Sequence, residues 1–236
     1  MSKGKVYLIP TVLAAEALES IPAYVLDAVR DCQAFFVEQE KTARRYLKAL
    51  WKEMVIDHYT WVRIPENGEE AIPAFIQLLR EGKHIGILSE AGCPGVADPG
   101  QVLVAAAQES GFTVKPLTGP NSILLALMAS GMNGQHFQFH GYLPIDAVAR
   151  KRKLKELESH SRTHSCTEIF IETPYRNHAL LKDILQTCHS HTRLCVAVQI
   201  TGPEEYIRTL PVRQWQEQAP DLHKKPAIFL LLASTI

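Results

Sequence analysis

Short apolar runs alternate along this chain with longer stretches whose apolar residues recur every three or four positions. The short runs predict strands at 5–9, 34–37, 58–64, 84–88 and 112–115. Between them, helical spacing predicts helices at 21–30, 42–51, 68–80 and 99–110. Pro22 falls in the first turn of the first helix, where a missing N–H does no harm. Residues 42–51 put Tyr46, Leu47 and Leu50 on one face and Arg44, Arg45 and Lys48 on another, while 68–80 align Ile72, Phe75, Ile76 and Leu79. Further along, strands are expected at 137–142, 168–172, 194–200, 205–210 and 227–233, with helices at 122–130, 146–158 and 175–187.

This alternation predicts an α/β fold. Parallel neighbours need a crossover, so the first half is expected to hold a mainly parallel sheet. The run Lys115-Pro116-Leu117-Thr118-Gly119-Pro120 interrupts the pattern and marks a boundary, giving two α/β domains at 1–116 and 117–236. In the second domain the last two strands leave little room for a helical crossover, so a mixed sheet with antiparallel pairs is expected.

Composition narrows the class. Of 236 residues 46% are apolar and 21% charged, which excludes bulk disorder. Lys+Arg and Asp+Glu both number 25, so any RNA contact must rest on local patches. No apolar run reaches about 18 residues, so no membrane span is expected. The N-terminal segment from Met1 to Pro10 is too short in its apolar part for a signal peptide and reads as the first strand. The five cysteines are irregularly spaced and read as reduced thiols of a cytoplasmic protein. Cys188-His189-Ser190-His191, with Cys195 nearby, lacks the paired spacing of structural zinc sites, so no metal is expected.

The chemistry concentrates in residues 84–100. A strand ends near Leu88, and a loop with Gly92, Pro94 and Gly95 follows. Asp98 reads as a helix N-cap and Pro99 as the first helical residue. Ligands of open α/β sheets bind beyond the carboxyl ends of the strands, and glycine lets them approach the backbone. Glu90 stands in this loop, able to bond an amine or a hydroxyl pair. A well-capped connection without a ligand accounts for the same residues. Neither a Gly-x-Gly-x-x-Gly after the first strand nor a Gly-x-x-x-x-Gly-Lys-Ser/Thr occurs, which disfavours a dinucleotide dehydrogenase and a P-loop phosphotransferase.

Four segments carry a resemblance. Ser89-Glu90-Ala91-Gly92-Cys93-Pro94-Gly95-Val96-Ala97-Asp98-Pro99-Gly100 resembles the Ser-Asp-Ala-Gly-Thr-Pro-Gly-Ile-Ser-Asp-Pro-Gly segment of the tetrapyrrole-methylase superfamily. Leu117-Thr118-Gly119-Pro120-Asn121-Ser122 is similar to its Leu-Pro-Gly-Pro-Ser-Ala, in the bacterial small-subunit ribosomal RNA (cytidine-2'-O)-methyltransferase branch. The segment from Phe137 to Pro144 resembles that branch's Phe-x-Phe-x-Gly-Phe-Leu-Pro, and the one from Ile169 to Arg176 its Phe-Tyr-Glu-Ser-Pro-His-Arg. The resemblance implies S-adenosyl-L-methionine as methyl donor, a cofactor cleft between two α/β domains, and a homodimer. It carries donor-binding positions onto Pro10 and Leu13, onto Ser89, Glu90, Ala91, Gly92 and Cys93, and onto Asn121 and Ser122. Thr173, Val198 and Ala227 are further matches, of which the last two also read as core-strand residues.

The chain also departs from that branch. Pro-Ile-Gly-Asn becomes Pro10-Thr11-Val12-Leu13, Glu-Asp-Thr-Arg becomes Glu38-Gln39-Glu40-Lys41, and Arg-Glu-Leu-Thr-Lys becomes Val198-Gln199-Ile200-Thr201-Gly202. No counterpart of the branch's C-terminal helical extension is expected. The donor half of the site is kept and the acceptor half altered.

On the acceptor side, Glu172 and Arg176 flank Thr173-Pro174, and a guanidinium forks to phosphate or carboxylate. Arg150, Lys151, Arg152 and Lys153, with Lys155, form the densest basic run, and Lys41, Arg44, Arg45, Lys48 and Lys52 a second one. Either would suit RNA phosphates or a solvated helix face, with Glu156 and Glu158 partly balancing the first. No single one of the ten histidines stands out as an acid or base, and no general base is assigned. Methyl transfer mostly needs the acceptor held in line with the methyl carbon and requires no metal. A methyltransferase acting on RNA or the ribosomal subunit is expected. A small-molecule methyltransferase acting on a tetrapyrrole-like precursor, or a donor-binding protein without turnover, are the alternatives.

Overall fold

A computed structural model describes residues 3–233; Met1 and Ser2, and residues 234–236, at the outer ends of the two expected domains, lie outside the described residues. The chain forms two compact units, Met1–Asn121 and Ser122–Ile236.

The first unit contains β1 (Lys5–Leu8), α1 (Val25–Asp31), β2 (Ala34–Val37), α2 (Glu40–Leu50), β3 (Thr60–Arg63), α3 (Ile72–Arg80), β4 (Ile85–Leu88), α4 (Gly100–Glu109) and β5 (Thr113–Pro116). Its five strands lie in the order β3-β2-β4-β1-β5 and every neighbouring pair is parallel. β2 and β4 are buried along their whole length because helices cover both faces of the sheet. Phe35, Val37 and Ile9 pack on one face against Val25 and Val29 of α1 and Leu47 of α2. Phe36, Ile85 and Ile87 pack on the other against Phe75 and Leu79 of α3 and Leu103 of α4. Gly86 lies in the middle of β4, where a Cβ would stand 2.6 Å from Ile9 Cδ1 and 2.7 Å from Phe35 Cδ1.

Two local expectations are corrected here. The first helix starts at Val25, not at residue 21, because Ile21 precedes a proline and is held extended at φ −96° and ψ 119°. Asp98 is not the N-cap of α4; Pro99 takes that place, and Asp98 sits one residue earlier with its carboxylate on the Gly95 and Gly100 N–H groups.

The second unit contains α5 (Ser122–Ser130), β6 (Phe137–Tyr142), α6 (Ala147–His164), β7 (Thr167–Ile171), α7 (Asn177–Thr187), β8 (Arg193–Val198), β9 (Tyr206–Pro211), α8 (Trp215–Gln218) and β10 (Ala227–Leu232). Its sheet is mixed, in the order β6-β7-β10-β8-β9, with β6 parallel to β7 and the remaining pairs antiparallel. The last two strands are not neighbours, since β8 lies between them. Phe170, Val196, Phe229 and Trp215 form its core with Leu154 and Leu157 of α6 and Leu180 and Ile184 of α7.

α6 overturns the picture of a solvated charged helix. It runs on to His164, and its buried face is Arg150, Leu154, Leu157, Glu158 and Ser161, at helical spacing. Arg150 is therefore no phosphate contact: its Nε and Nη2 donate to Asp183 Oδ2 at 2.8 and 2.5 Å, and its Nη1 to the Ile145 carbonyl at 2.8 Å. Glu158 is equally internal, accepting from the His189 N–H at 2.7 Å and from the Thr192 hydroxyl. Lys151 reaches Asp183 and Gln186, while Arg152 and Lys153 pair with Glu156 in exposed positions. Among the described residues no helix is long and apolar enough to cross a membrane.

Two stability effects follow. Gly86→Ala forces a methyl group into the Ile9–Phe35 contact and should cost about 1–3 kcal/mol, read as a lower urea midpoint with an unchanged m-value. Arg150→Ala takes the close partner from the buried Asp183 carboxylate, leaving it only Lys151 at 3.4 Å, and should cost about 3–5 kcal/mol. A wild-type urea midpoint for either variant would refute the corresponding packing assignment.

Candidate active site

β4 is the central strand of the first sheet. Its chain leaves toward α4 on one face, whereas β1 and β2 lead to α1 and α2 on the other. Such divergence opens a crevice outside the carboxyl ends of the strands, where open α/β sheets take their ligands. Three segments meet there, and the sequence singled out residues in each.

The segment after β1 and the loop after β4 are joined main chain to main chain. Thr11 N–H donates to the Gly92 carbonyl at 2.8 Å, and Gly92 N–H returns a bond to the Thr11 carbonyl at 3.2 Å. Pro10 is held from below by the buried Tyr46 of α2, whose hydroxyl donates to the Pro10 carbonyl at 2.7 Å. The third segment, after β5, lies against both. A Cβ on Gly119 would stand 2.0 Å from Pro10 Cβ, so only glycine fits. The Cys93 thiol donates to the carbonyls of Gly119 at 3.7 Å and Pro120 at 3.5 Å and bonds the Asn121 side chain. Tyr24 fixes the same turn, its hydroxyl accepting the Thr118 N–H at 2.6 Å. Burial pushes the Cys93 thiol up, outweighing the opposing effect of Asn121.

Gly92 sits at φ 79°, with room for a Cβ only 3.3 Å from Leu13 Cδ2 and 3.4 Å from the Pro120 carbonyl. Ser89 is buried, while Glu90 and Ala91 are exposed at the lip. Pro10, Leu13, Ser89, Glu90, Ala91, Gly92, Cys93 and Asn121 all belong to this first unit.

The rim carries three carboxylates. Glu38, the first residue past β2, accepts the Glu90 N–H on Oε2 at 2.6 Å. Burial raises the Glu38 carboxyl above its usual range, aided by the nearby Asp98 and Glu90 charges and opposed by the Glu90 N–H. Burial likewise raises Asp98, against the pull of two backbone N–H groups. The sequence reading did not count Glu38, Thr11 or Tyr46 among the site residues. Glu38 was discoverable by the rule that picked out Glu90, a polar side chain just past a strand's carboxyl end. Tyr46 was not, because its apolar spacing on α2 describes only its ring.

The remaining candidates belong to the second unit. Ser122 is the first residue of α5. Glu172, Thr173 and Arg176 form one cluster beyond β7: Arg176 Nε and Nη2 both donate to Glu172 Oε1, at 3.0 and 2.6 Å, and Nε also reaches Thr173 Oγ1 at 3.2 Å. Arg176 thus forks to a carboxylate of its own chain. Val198 and Ala227 are register partners at the same end of this sheet. Along that end, Glu172 Oε2, Asn177 Oδ1, Gln199 Oε1 and Thr201 Oγ1 are buried without a hydrogen-bond partner. Gln199 and Thr201 hold φ values of 48° and 68°, and the β-branched Thr201 is strained there. Arg150, Lys151, Arg152 and Lys153 lie in the first two turns of α6.

Comparison with known proteins agrees with this architecture. The family model of tetrapyrrole (corrin/porphyrin) methylases matches residues 8–215. The chain is 31% identical over 229 residues to the ribosomal RNA small subunit methyltransferase I of Vibrio cholerae, spanning 96% of this chain and 76% of that protein. Among solved structures, the methyltransferase CobJ superposes with a TM-score of 0.65 at 18% identity, covering 98% of this chain and 94% of that one. Uroporphyrin-III C-methyltransferase from Thermus thermophilus, in complex with S-adenyl homocysteine, gives 0.58 at 17% identity and 97% of both chains. With the match running from the end of β1 to α8, and a curated relative aligned over 96% of this chain, the chain belongs to the tetrapyrrole (corrin/porphyrin) methylase family of methyltransferases.

Proposed function

We propose that the protein transfers a methyl group from S-adenosyl-L-methionine to a ribose hydroxyl of small-subunit ribosomal RNA. The observation that carries the donor half is the close junction of three segments around Gly92, just past the carboxyl ends of β1, β4 and β5. The residues fit such a donor. Gly92 lets the loop close on Thr11, Leu13 and Pro120, Ala91 leaves the lip open with a small side chain, Cys93 and Asn121 hold the facing turn, and Glu38, Glu90 and Asp98 give the rim a negative character suited to a cationic ligand. When bound, S-adenosylmethionine supplies a methyl carbon activated by its sulfonium. The chain's part is to hold the donor and exclude other orientations, since alignment supplies most of the rate enhancement.

The acceptor half rests on the second unit. Glu172 Oε2, Gln199 Oε1 and Thr201 Oγ1 are acceptors without donors, and a ribose hydroxyl or a base's exocyclic amine brings donors. Arg176 locks the other Glu172 oxygen, so that Oε2 keeps a fixed direction. The family's name and the curated relative's name point to different acceptors, and identity along most of the chain favours the ribosomal one. Exposed Lys41, Arg45 and Lys52 on and just beyond α2, with Arg152 on α6, are the basic side chains offered to RNA phosphates once Arg150 is set aside. A homodimer and a cytoplasmic location belong to the same reading.

Gly92→Ala should weaken S-adenosylmethionine binding at least tenfold, or ~1.4 kcal/mol, in calorimetric titration, with an unchanged circular dichroism spectrum. Wild-type affinity in that folded variant would remove the donor from these loops. In cells lacking the gene, mass spectrometry of small-subunit ribosomal RNA should show one 2'-O-methyl group missing, restored by the wild-type gene but not by Gly92→Ala. An unaltered methylation pattern would favour a small-molecule acceptor or a protein without turnover.

A further inference from the structure

Apart from the candidate active site, one strand residue violates the pattern of its own sheet. Glu168 lies within β7 between Thr167 and Ile169, and its side chain is fully buried. A buried carboxylate needs compensating partners. Three side chains surround it: His160 Nδ1 lies 2.6 Å from Oε1, His140 Nε2 lies 2.5 Å from Oε2, and the Cys166 thiol, which donates to the Thr167 carbonyl at 3.8 Å, lies within 4.8 Å of the carboxylate.

We propose that His160, Cys166 and Glu168 form a site for a thiophilic divalent cation of the zinc class, with His140 as the outer partner that orients the carboxylate. The nitrogen, sulfur and oxygen donors lie within 4.8 Å of one another. In a tetrahedral zinc site such donors are separated by about 3.3–3.6 Å, as follows from bond lengths near 2.0–2.3 Å. Side-chain shifts of about an ångström therefore convert the hydrogen-bonded cluster into a ligand set. The cation takes the position now held by protons between His160, Cys166 and Glu168, and the thiol proton leaves to solvent. A nitrogen, a thiolate and a carboxylate leave one coordination position for water, and the partly exposed His160 provides the way in.

The scaffold holds these donors in place. Ser165 adopts a left-handed conformation at φ 52° and ends α6. The next residue, Cys166, is clamped by its N–H to the Ser161 carbonyl at 3.2 Å and by its carbonyl to the Ser161 hydroxyl at 2.6 Å. The His160 ring stacks on His164 with centroids 4.3 Å apart. His140 on Glu168 Oε2 is the outer-shell pairing that metal-binding carboxylates require. Among the described residues, it is this set whose donor atoms converge, and not Cys188, His189 and His191.

The test is titration of the full-length chain with Co²⁺, followed by absorbance. A thiolate-to-cobalt band saturating at one equivalent, displaced by Zn²⁺, is expected. The band should vanish in Cys166→Ser, weaken at least tenfold in affinity in His160→Ala, and persist in Cys188→Ser and His191→Ala. X-ray absorption of the zinc-loaded wild-type chain, which needs no variant to fold, should show a single sulfur ligand among nitrogen and oxygen neighbours. Absence of a band at tenfold excess Co²⁺, a band that survives Cys166→Ser, or a zinc shell with no sulfur or several would overturn the proposal and leave the cluster an ion pair.

Discussion

Two backbone hydrogen bonds between Thr11 and Gly92 join the segments that follow β1 and β4, and the loops around them take their positions from this pair. Each bond contributes a net ~0.5–1.5 kcal/mol, yet their importance is geometric. They form an antiparallel bridge beyond the parallel β1–β4 pairing, at the point where the two chains part, one toward α1 and the other toward α4. Glycine at 92 allows the backbone to turn back at positive φ. The turn after β5 then closes on the pair through Gly119 against Pro10 and Cys93 against Pro120. Tyr46 and Tyr24 anchor this assembly from the helical layer and the loop leading into it, so a surface crevice is built on hydrogen bonds that the ordinary core supplies.

Much of the fold was legible where one period ruled without competition. The 122–130 helix and the 137–142 strand were bounded correctly from the pattern, because clear turn residues flank each. Boundaries slipped where a local rule opposed the period. Pro22 fits a helix's first turn, but it also keeps Ile21 extended, and the second effect prevailed. α6 was misjudged because charge concealed its inward face. Residues 150, 154, 157, 158 and 161 have helical spacing, but two of them are Arg and Glu, which read as surface in a sequence. Their partners, Asp183, His189 and Thr192, lie about 30 residues away, and no local window connects them.

The same distinction governs the candidate sites. Residues of the loop after β4 were readable because glycine, proline and a capping carboxylate cluster in one segment. The His140–Glu168–His160–Cys166 cluster was not, because its members come from a strand, a helix end, the connection after it and the next strand. No short Cys or His spacing announces it. What betrays it is a single anomaly, a charged residue inside a buried strand, and that becomes informative only once both of its faces are known to be covered.

The departures from the family pattern sort by whether the chain itself satisfies them. Thr11 replaces an apolar residue, yet its hydroxyl lies 3.4 Å from the Ser89 and Gly92 carbonyls and its main chain makes the bridge. Glu38, the unchanged head of the altered 38–41 run, holds its carboxylate on the Glu90 N–H. These positions are absorbed into the scaffold. Residues 198–202 differ in kind. The cationic positions of the related branch are Val198 and Gly202 here, and between them Gln199 and Thr201 stand in left-handed backbone with buried oxygens that no donor reaches. A protein keeps unpaired polar groups and strained residues only where something else stabilises them, and a bound partner is the usual source. At 198 and 202 the chain has thus lost two cations while polar oxygens stay buried between them, which fits the acceptor proposed above, one that brings hydrogen-bond donors.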